Sequence, residues 1–241
     1  MVRILARLKN KIKRSYFELL PLRFHHKIFV ISIQRSGTTS TGGFFRDFNY
    51  SVAPYSMSYR NQWSVFFLKG DYENIFNTKD FKIHQVFEDD PWWLDDFYKV
   101  LYHRFPKSKF ILMTRNSEKW YNSMMSHSNR KTLGNTYLHC KTYNRDFRLL
   151  NPEYANEITK SAYGSDFDNL LDLDENFKTH YIRQYELKNE EIKLFFEKHN
   201  SERLICLELE DDKKWIKLGK FFNISVPDEY NSYRNITGIH R

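Results

Sequence analysis

One stretch governs what this chain can fold into. Lys27-Ile-Phe-Val-Ile-Ser-Ile33 is a short, β-rich apolar run that ends in the hydroxyl-rich turn Gln34-Arg-Ser-Gly-Thr-Thr-Ser40. Residues 41–48 after it suit a helix. An apolar run of this length with no polar alternation suits a strand buried on both faces. The pattern recurs. Phe81-Lys-Ile-His-Gln-Val-Phe87 reads as a second strand, ending in Glu88-Asp89-Asp90-Pro91 and a helix that carries Trp92, Trp93, Phe97, Val100 and Leu101. Ser108-Lys-Phe-Ile-Leu-Met-Thr114 reads as a third, giving way to Arg115-Asn-Ser and a helix through Trp120 and Met124. Arg203-Leu-Ile-Cys-Leu-Glu-Leu209 is a fourth, with a helix over residues 215–222 after it. Strands alternating with helices predict an α/β fold of three layers, with a mostly parallel central sheet covered by helices on both faces.

Residues 127–178 break this rhythm. They are polar, mix Tyr and Asn with charge, and hold no sustained period, so they read as an irregular insertion or lid, followed by a long helix over about 179–198. No repeat and no clean linker divides the rest. Residues 27–241 are therefore expected to form one domain, a size at which a single core is ample. Hydrophobic residues make up 41% of the chain and aromatics 17%, which excludes a disordered state. Two cysteines cannot build a disulfide framework. Cys206 reads as a small buried hydrophobe, and a reducing, cytoplasmic setting is expected. With no secretory signal, the sequons at Asn49, Asn223 and Asn235 carry no glycosylation reading.

The net charge of +8 resembles a nucleic-acid signal until it is divided by position. Residues 1–27 hold Arg3, Arg7, Lys9, Lys11, Lys13, Arg14, Arg23 and Lys27 against Glu18 alone. The rest is nearly neutral, which excludes a broad nucleic-acid face. Within residues 1–26, Ile4, Leu8, Ile12 and Tyr16 recur every four positions opposite the basic side chains, so a basic amphipathic helix is expected there. Two readings stand open for it: an interfacial helix on anionic lipid at the inner face of a membrane, and a solubilising extension or a helix packed on its own domain.

A turn between a first strand and its helix is a ready anion site, because backbone N–H groups and the helix dipole point at the ligand. Here Arg35 adds a forked, permanent charge, Gly37 permits close backbone approach, and Ser36, Thr38, Thr39 and Ser40 add hydroxyls. It is not a Walker A loop, since Thr38 stands where that motif has lysine. Arg115 leaves the third strand at the edge where open α/β sheets bind ligands. Ser123 lies two turns along the next helix, and the pair can hold a second phosphate beside the loop. No His/Cys/Asp cluster has metal-ligand spacing, so no metal is expected.

These segments resemble the sulfotransferases that use 3′-phosphoadenosine-5′-phosphosulfate (PAPS). Gln34-Arg-Ser-Gly-Thr-Thr-Ser40 is similar to their 5′-phosphosulfate loop, and the run from Ser108 through Arg115 to Ser123 to their 3′-phosphate motif. Phe105-Pro-Lys-Ser-Lys-Phe-Ile-Leu and the segment from Arg203 to Val226-Pro227 are similar to further parts of the pattern. The likeness runs from about Lys27 to Pro227 and is nearer the divergent branch, which has Arg in the loop. It implies a P-loop-like α/β fold, PAPS as co-substrate with PAP as product, and no metal. Position by position it implies Arg35 on the bridging oxygen, Ser36, Gly37, Thr38, Thr39 and Ser40 around the 5′-phosphate, and Arg115 with Ser123 on the 3′-phosphate; Arg234 would be a further contact there or a surface charge.

An acceptor hydroxyl needs a base. Asp89-Asp90-Pro91 resembles the Asp-x-Pro of the divergent branch, Lys82-Ile-His84 resembles the Lys-x-His of the cytosolic enzymes, and Glu88 is a third carboxylate in reach. Asp89 and His84 both stand as catalytic candidates, with helix capping and a sheet histidine as their structural alternatives. The expected acceptor bears a hydroxyl, with a carbohydrate or glycolipid among the classes that the aromatic, polar stretch at 50–63 suits. Two other functions remain in view: a nucleotide or small-metabolite kinase, and a non-catalytic, membrane-associated nucleotide-binding adaptor. Thr38 disfavours the first; the joint presence of Arg35, Gly37, Arg115 and Ser123 disfavours the second.

Overall fold

The structure is a computed structural model that describes residues 26–126, 137–144 and 175–232. The expected N-terminal helix, most of the expected insertion, Arg234 and Asn235 lie outside the described residues.

Five strands form one parallel sheet: β1 (Ile28–Val30), β2 (Val52–Ala53), β3 (Val86–Phe87), β4 (Lys109–Thr114) and β5 (Leu204–Glu208). Their order across the sheet is β2-β3-β1-β4-β5, with Ile28 level with both Val86 and Lys109, and Phe110 level with Leu204. The helices are α1 (Thr38–Asp47), α2 (Tyr55–Asn61), α3 (Trp63–Leu68), α4 (Tyr72–Asn77), α5 (Lys79–Ile83), α6 (Phe97–Arg104), α7 (Ser117–Ser126), α8 (Tyr137–Thr142), α9 (Lys178–His199) and α10 (Lys214–Phe222).

Strand side chains alternate between faces, and each face has its own core. Phe29, Ile31, Phe87, Phe110 and Leu112 point to one, where Trp63, Trp92, Tyr98, Leu101, Trp120, Tyr181, Ile192 and Phe196 close over them. Ile28, Val30, Val86, Ile111 and Met113 point to the other, against Phe44 and Phe45 of α1 and Trp215 and Leu218 of α10. The chain is thus a three-layer α/β fold. Helix α9 docks through Tyr181, Tyr185, Asn189, Ile192 and Phe196, a stripe at three- and four-residue spacing.

The edge of the sheet where the strands begin is held by two buried cations. Lys27 Nζ donates to the carbonyls of Phe81, Lys82 and His84 at 2.6, 3.2 and 2.5 Å, over the rings of Phe81 and Phe87. These are the last carbonyls of α5 and the residue after it, groups with no partner inside the helix. Burial draws the Lys27 ammonium down to about 7, and the three acceptors counter that by holding the charged form. Arg203, ahead of β5, bonds Ser108 through its carbonyl and hydroxyl and the carbonyls of Tyr102 and Phe105, with its guanidinium 3.9 Å from the Tyr102 ring centre.

Several expectations need correction. The expected second strand is strand only at its end: Phe81, Lys82 and Ile83 close α5 (Lys79–Ile83), and only Val86 and Phe87 pair as strand. Thr78 explains it, since its hydroxyl accepts from the Phe81 N–H as an N-cap and Asp80 supplies an acidic first turn. The helix expected to carry Trp92 and Trp93 begins only at Phe97. The edge strand β2 was not foreseen. Within the expected insertion, residues 137–142 are helical and Tyr143 is buried against Trp120 and Tyr181. Cys206 is exposed, not buried, because β5 is the outermost strand.

Candidate active site

The order β3-β1-β4-β5 decides what stands at the other edge, where the strands end. Asp89 follows β3, Arg35 follows β1, Arg115 follows β4 and Glu210 follows β5, so a carboxylate, two guanidiniums and a second carboxylate stand in a row. Arg35 and Asp89 attract each other, whereas Arg35 and Arg115 repel. Arg115 Nε donates to Glu210 Oε1 at 3.3 Å, and Arg35 Nε to Ser123 Oγ on α7 at 3.2 Å. Desolvation first, then the Arg115 charge, lowers the Arg35 pKa, with Asp89 opposing. Two guanidiniums in mutual repulsion, beside a hydroxyl, form a donor set that an anion would relieve.

The turn after β1 is tightly shaped. Arg35 and Gly37 both take left-handed backbone, with φ of 66° and 90°. Gly37 is the N-cap of α1 and gives no side-chain cap, so the first-turn N–H groups face outward from the helix end. A side chain at Gly37 would also run into Leu209, 2.7 Å from the added Cβ. Ser36 is fully buried, Thr38 and Ser40 nearly so, and Thr39 half-buried. Their hydroxyls are therefore placed by packing rather than left loose.

Tyr185 ties this turn to the end of β4. Its hydroxyl bonds Ser36 Oγ at 3.2 Å, accepts from the Arg115 N–H at 2.8 Å and donates to the Arg115 carbonyl at 3.2 Å. Its ring stacks on Trp120, whose Nε1 donates to the Gln34 carbonyl at 2.9 Å. Burial raises the Tyr185 pKa, so it remains a phenol. Sequence reasoning missed it: a tyrosine inside a long amphipathic helix gives no signal beyond core packing.

The acidic turn after β3 holds three carboxyl groups. Glu88 is buried against α1, in space that only glycine leaves: a Cβ at Gly42 would lie 1.7 Å from Glu88 Oε2. Arg46 Nη1 donates to Glu88 Oε1 at 3.1 Å. Desolvation outweighs that ion pair and lifts Glu88 to about 7. Asp89 is half-buried with φ of 68°, and its Oδ1 accepts from the Asp90 N–H at 3.0 Å. Desolvation raises its pKa, with that N–H and Arg35 opposing. Asp90 precedes Pro91 through a cis peptide and accepts from Trp93 Nε1 at 2.7 Å.

The fold therefore brings Arg35, Ser36, Gly37, Thr38, Asp89, Arg115 and Ser123 to one edge. It does not bring His84 there. His84 ends α5, before β3 begins, and its Nδ1 pairs with the Asp80 carbonyl at 2.8 Å. It stands at the Lys27 edge of the sheet. Thr39 and Ser40 lie on the first turn of α1. Among the described residues no group of three His, Cys, Asp or Glu side chains is arranged to hold a metal ion. No described helix is long and apolar enough to cross a membrane.

A strand, an arginine-bearing turn and a helix, then a second strand followed by an arginine with a serine on the next helix, gather a basic, hydroxyl-lined cluster at the strand ends of an α/β sheet. Residues 27–235 match the family described as "Sulfotransferase domain", and the chain belongs to that family. No curated protein matches it. The chain is thus a sulfotransferase by family, built on an α/β fold.

Proposed function

We propose that the protein transfers the sulfuryl group of PAPS to a hydroxyl of its acceptor. The observation that carries this reading is the single cluster of Arg35, Ser123 and Arg115, joined by the Arg35–Ser123 bond and braced by Tyr185. Such a cluster suits a ligand with two phosphates: the α1 end and Arg35 for the 5′ side, Arg115 and Ser123 for the 3′ side. Sulfuryl transfer resembles phosphoryl transfer, in which charge spreads over the moving group and catalysis is mostly positioning and electrostatics. In this reading Arg35 offsets charge on the leaving phosphate. Asp89, one strand over, takes the acceptor's proton as the new oxygen–sulfur bond forms. Arg35 beside it favours the ionised carboxylate that this needs.

The acceptor would approach over α2, which leaves the same edge after β2, on the outer side of Asp89. Tyr55 and Tyr59 are exposed there. Aromatic faces beside Asn61 and Gln62 suit a carbohydrate hydroxyl.

The 3′-phosphate provides the test. A charge-assisted hydrogen bond is worth about 1.5–3 kcal/mol, so PAP should bind more than tenfold tighter than AMP, and Arg115→Ala should remove most of that preference. Titration calorimetry with the two nucleotides measures it. Equal affinity for both would overturn the reading of Arg115 and Ser123.

A further inference from the structure

Two carboxyl groups side by side resist holding two charges. Asp89 and Asp90 share one turn, yet their surroundings differ. Asp89 has the Arg35 guanidinium in front of it and the Asp90 N–H on its Oδ1. Asp90 is 5% exposed, and no described lysine or arginine forms an ion pair with it. Among the described residues its carboxyl accepts from the indole of Trp93, a neutral donor. Among the described residues, the ionisable groups that interact with it are Asp89 on the same turn and the buried phenol of Tyr143 beyond α8. Tyr143 in turn is bonded by Gln34 Nε2 at 3.3 Å and lies near Tyr185. Glu88 lies behind Asp89 with Arg46 on its far side, and burial lifts it to about 7.

We propose that Asp90 is a positioning residue that stands as a neutral carboxylic acid beside an ionised Asp89, so that the pair carries one charge and the base role falls to Asp89 alone. The inference rests on the reading of Asp89 as base. Trp93 fixes the Asp90 carboxyl, and the Asp90 backbone fixes the Asp89 carboxylate through its N–H, so one residue sets both the charge and the aim of the other. During transfer the acceptor's proton goes to Asp89, while Asp90 keeps its own. Burial first, and the Asp89 charge second, lift Asp90 to about 8. Above that pH a second charge enters the pair and opposes the anionic donor. Turnover should then decline on the alkaline side.

The test joins spectroscopy to kinetics. Infrared difference spectra of the full-length protein should show a protonated buried carboxyl near neutral pH that vanishes above about pH 8. That band should persist in Glu88→Gln and be missing in Asp90→Asn. The alkaline decline in turnover should be present in wild type and absent in Asp90→Asn. A missing band at neutral pH, or an unchanged decline in Asp90→Asn, overturns the proposal. Should Asp90→Asn fail to fold, the pH dependence of the band in wild type and in Glu88→Gln decides alone. The underlying reading fails differently: Asp89→Asn would then turn over at near wild-type rate, and a base role for Asp89 would fall together with its helper.

Discussion

The two edges of the sheet both bury charge, and they treat it in opposite ways. At the edge where strands begin, Lys27 and Arg203 are cations bonded to backbone carbonyls and to the Ser108 hydroxyl, with aromatic rings beside them. Among the described residues, both side chains spend their hydrogen bonds on the protein itself. At the edge where strands end, like charges face each other: Arg35 against Arg115, and Asp89 against Asp90 and Glu88. A satisfied charge holds segments together, whereas a frustrated one waits for something to bind or for a proton to move. The pair of edges shows that burial of a charge is no sign of function by itself; the mismatch around it is.

The largest expected effect lies at the frustrated edge. Loss of a general base costs roughly 10²–10⁴ in rate, so Asp89→Asn should lose turnover by that factor while binding PAP and melting as wild type does. His84→Asn, at the satisfied edge, should change turnover by less than about threefold, well short of a base's contribution. Steady-state kinetics with melting curves separate the two, and a larger loss at His84 would erase the contrast. The next effect lies at Lys27. Lys27→Met leaves three buried carbonyls without a donor and should cost about 2–3 kcal/mol of stability. Turnover per folded molecule should stay unchanged, as chemical denaturation and active-site titration would show; a loss of turnover without a loss of stability would move Lys27 into the functional edge.

The smallest effect is a slope. Glu88 has a folded pKa of about 7, above its ordinary 4.5. The folded protein therefore holds a proton that the unfolded chain has released, and stability is fully present below about pH 4.5 and falls as pH rises toward 7. Glu88→Gln should flatten the decline in melting temperature across that window. An unchanged slope would place the titration on other groups of the turn.

Much of this fold is legible in the chain. β1, β4 and β5 are uninterrupted apolar runs, and the helices after them carry clear stripes, so the central sheet and the Arg35 and Arg115 turns follow from pattern alone. The second strand misleads for a physical reason. Phe81, Ile83 and Phe87 alternate with polar residues as a strand would, but the hydroxyl of Thr78 and the ammonium of Lys27 cap that segment as a helix. Lys27 lies 54 residues away from Phe81, so no local window contains the deciding bond. β2 is two residues long and its identity comes only from pairing with β3. Asp90 and Tyr185 are equally hidden, because what sets them apart is the company that tertiary packing assigns them.

Arg35, Gly37 and Asp89 all hold left-handed backbone. For a residue with a β-carbon that conformation costs on the order of 1 kcal/mol, and only one of the three positions holds glycine. The protein therefore keeps an arginine and an aspartate in backbone geometry that a chain selected for stability alone would hand to glycine. In the proposed reading both side chains serve the transfer, so what sulfate transfer asks of positions 35 and 89 and what the resilience of the domain asks of them pull the same two codons in opposite directions.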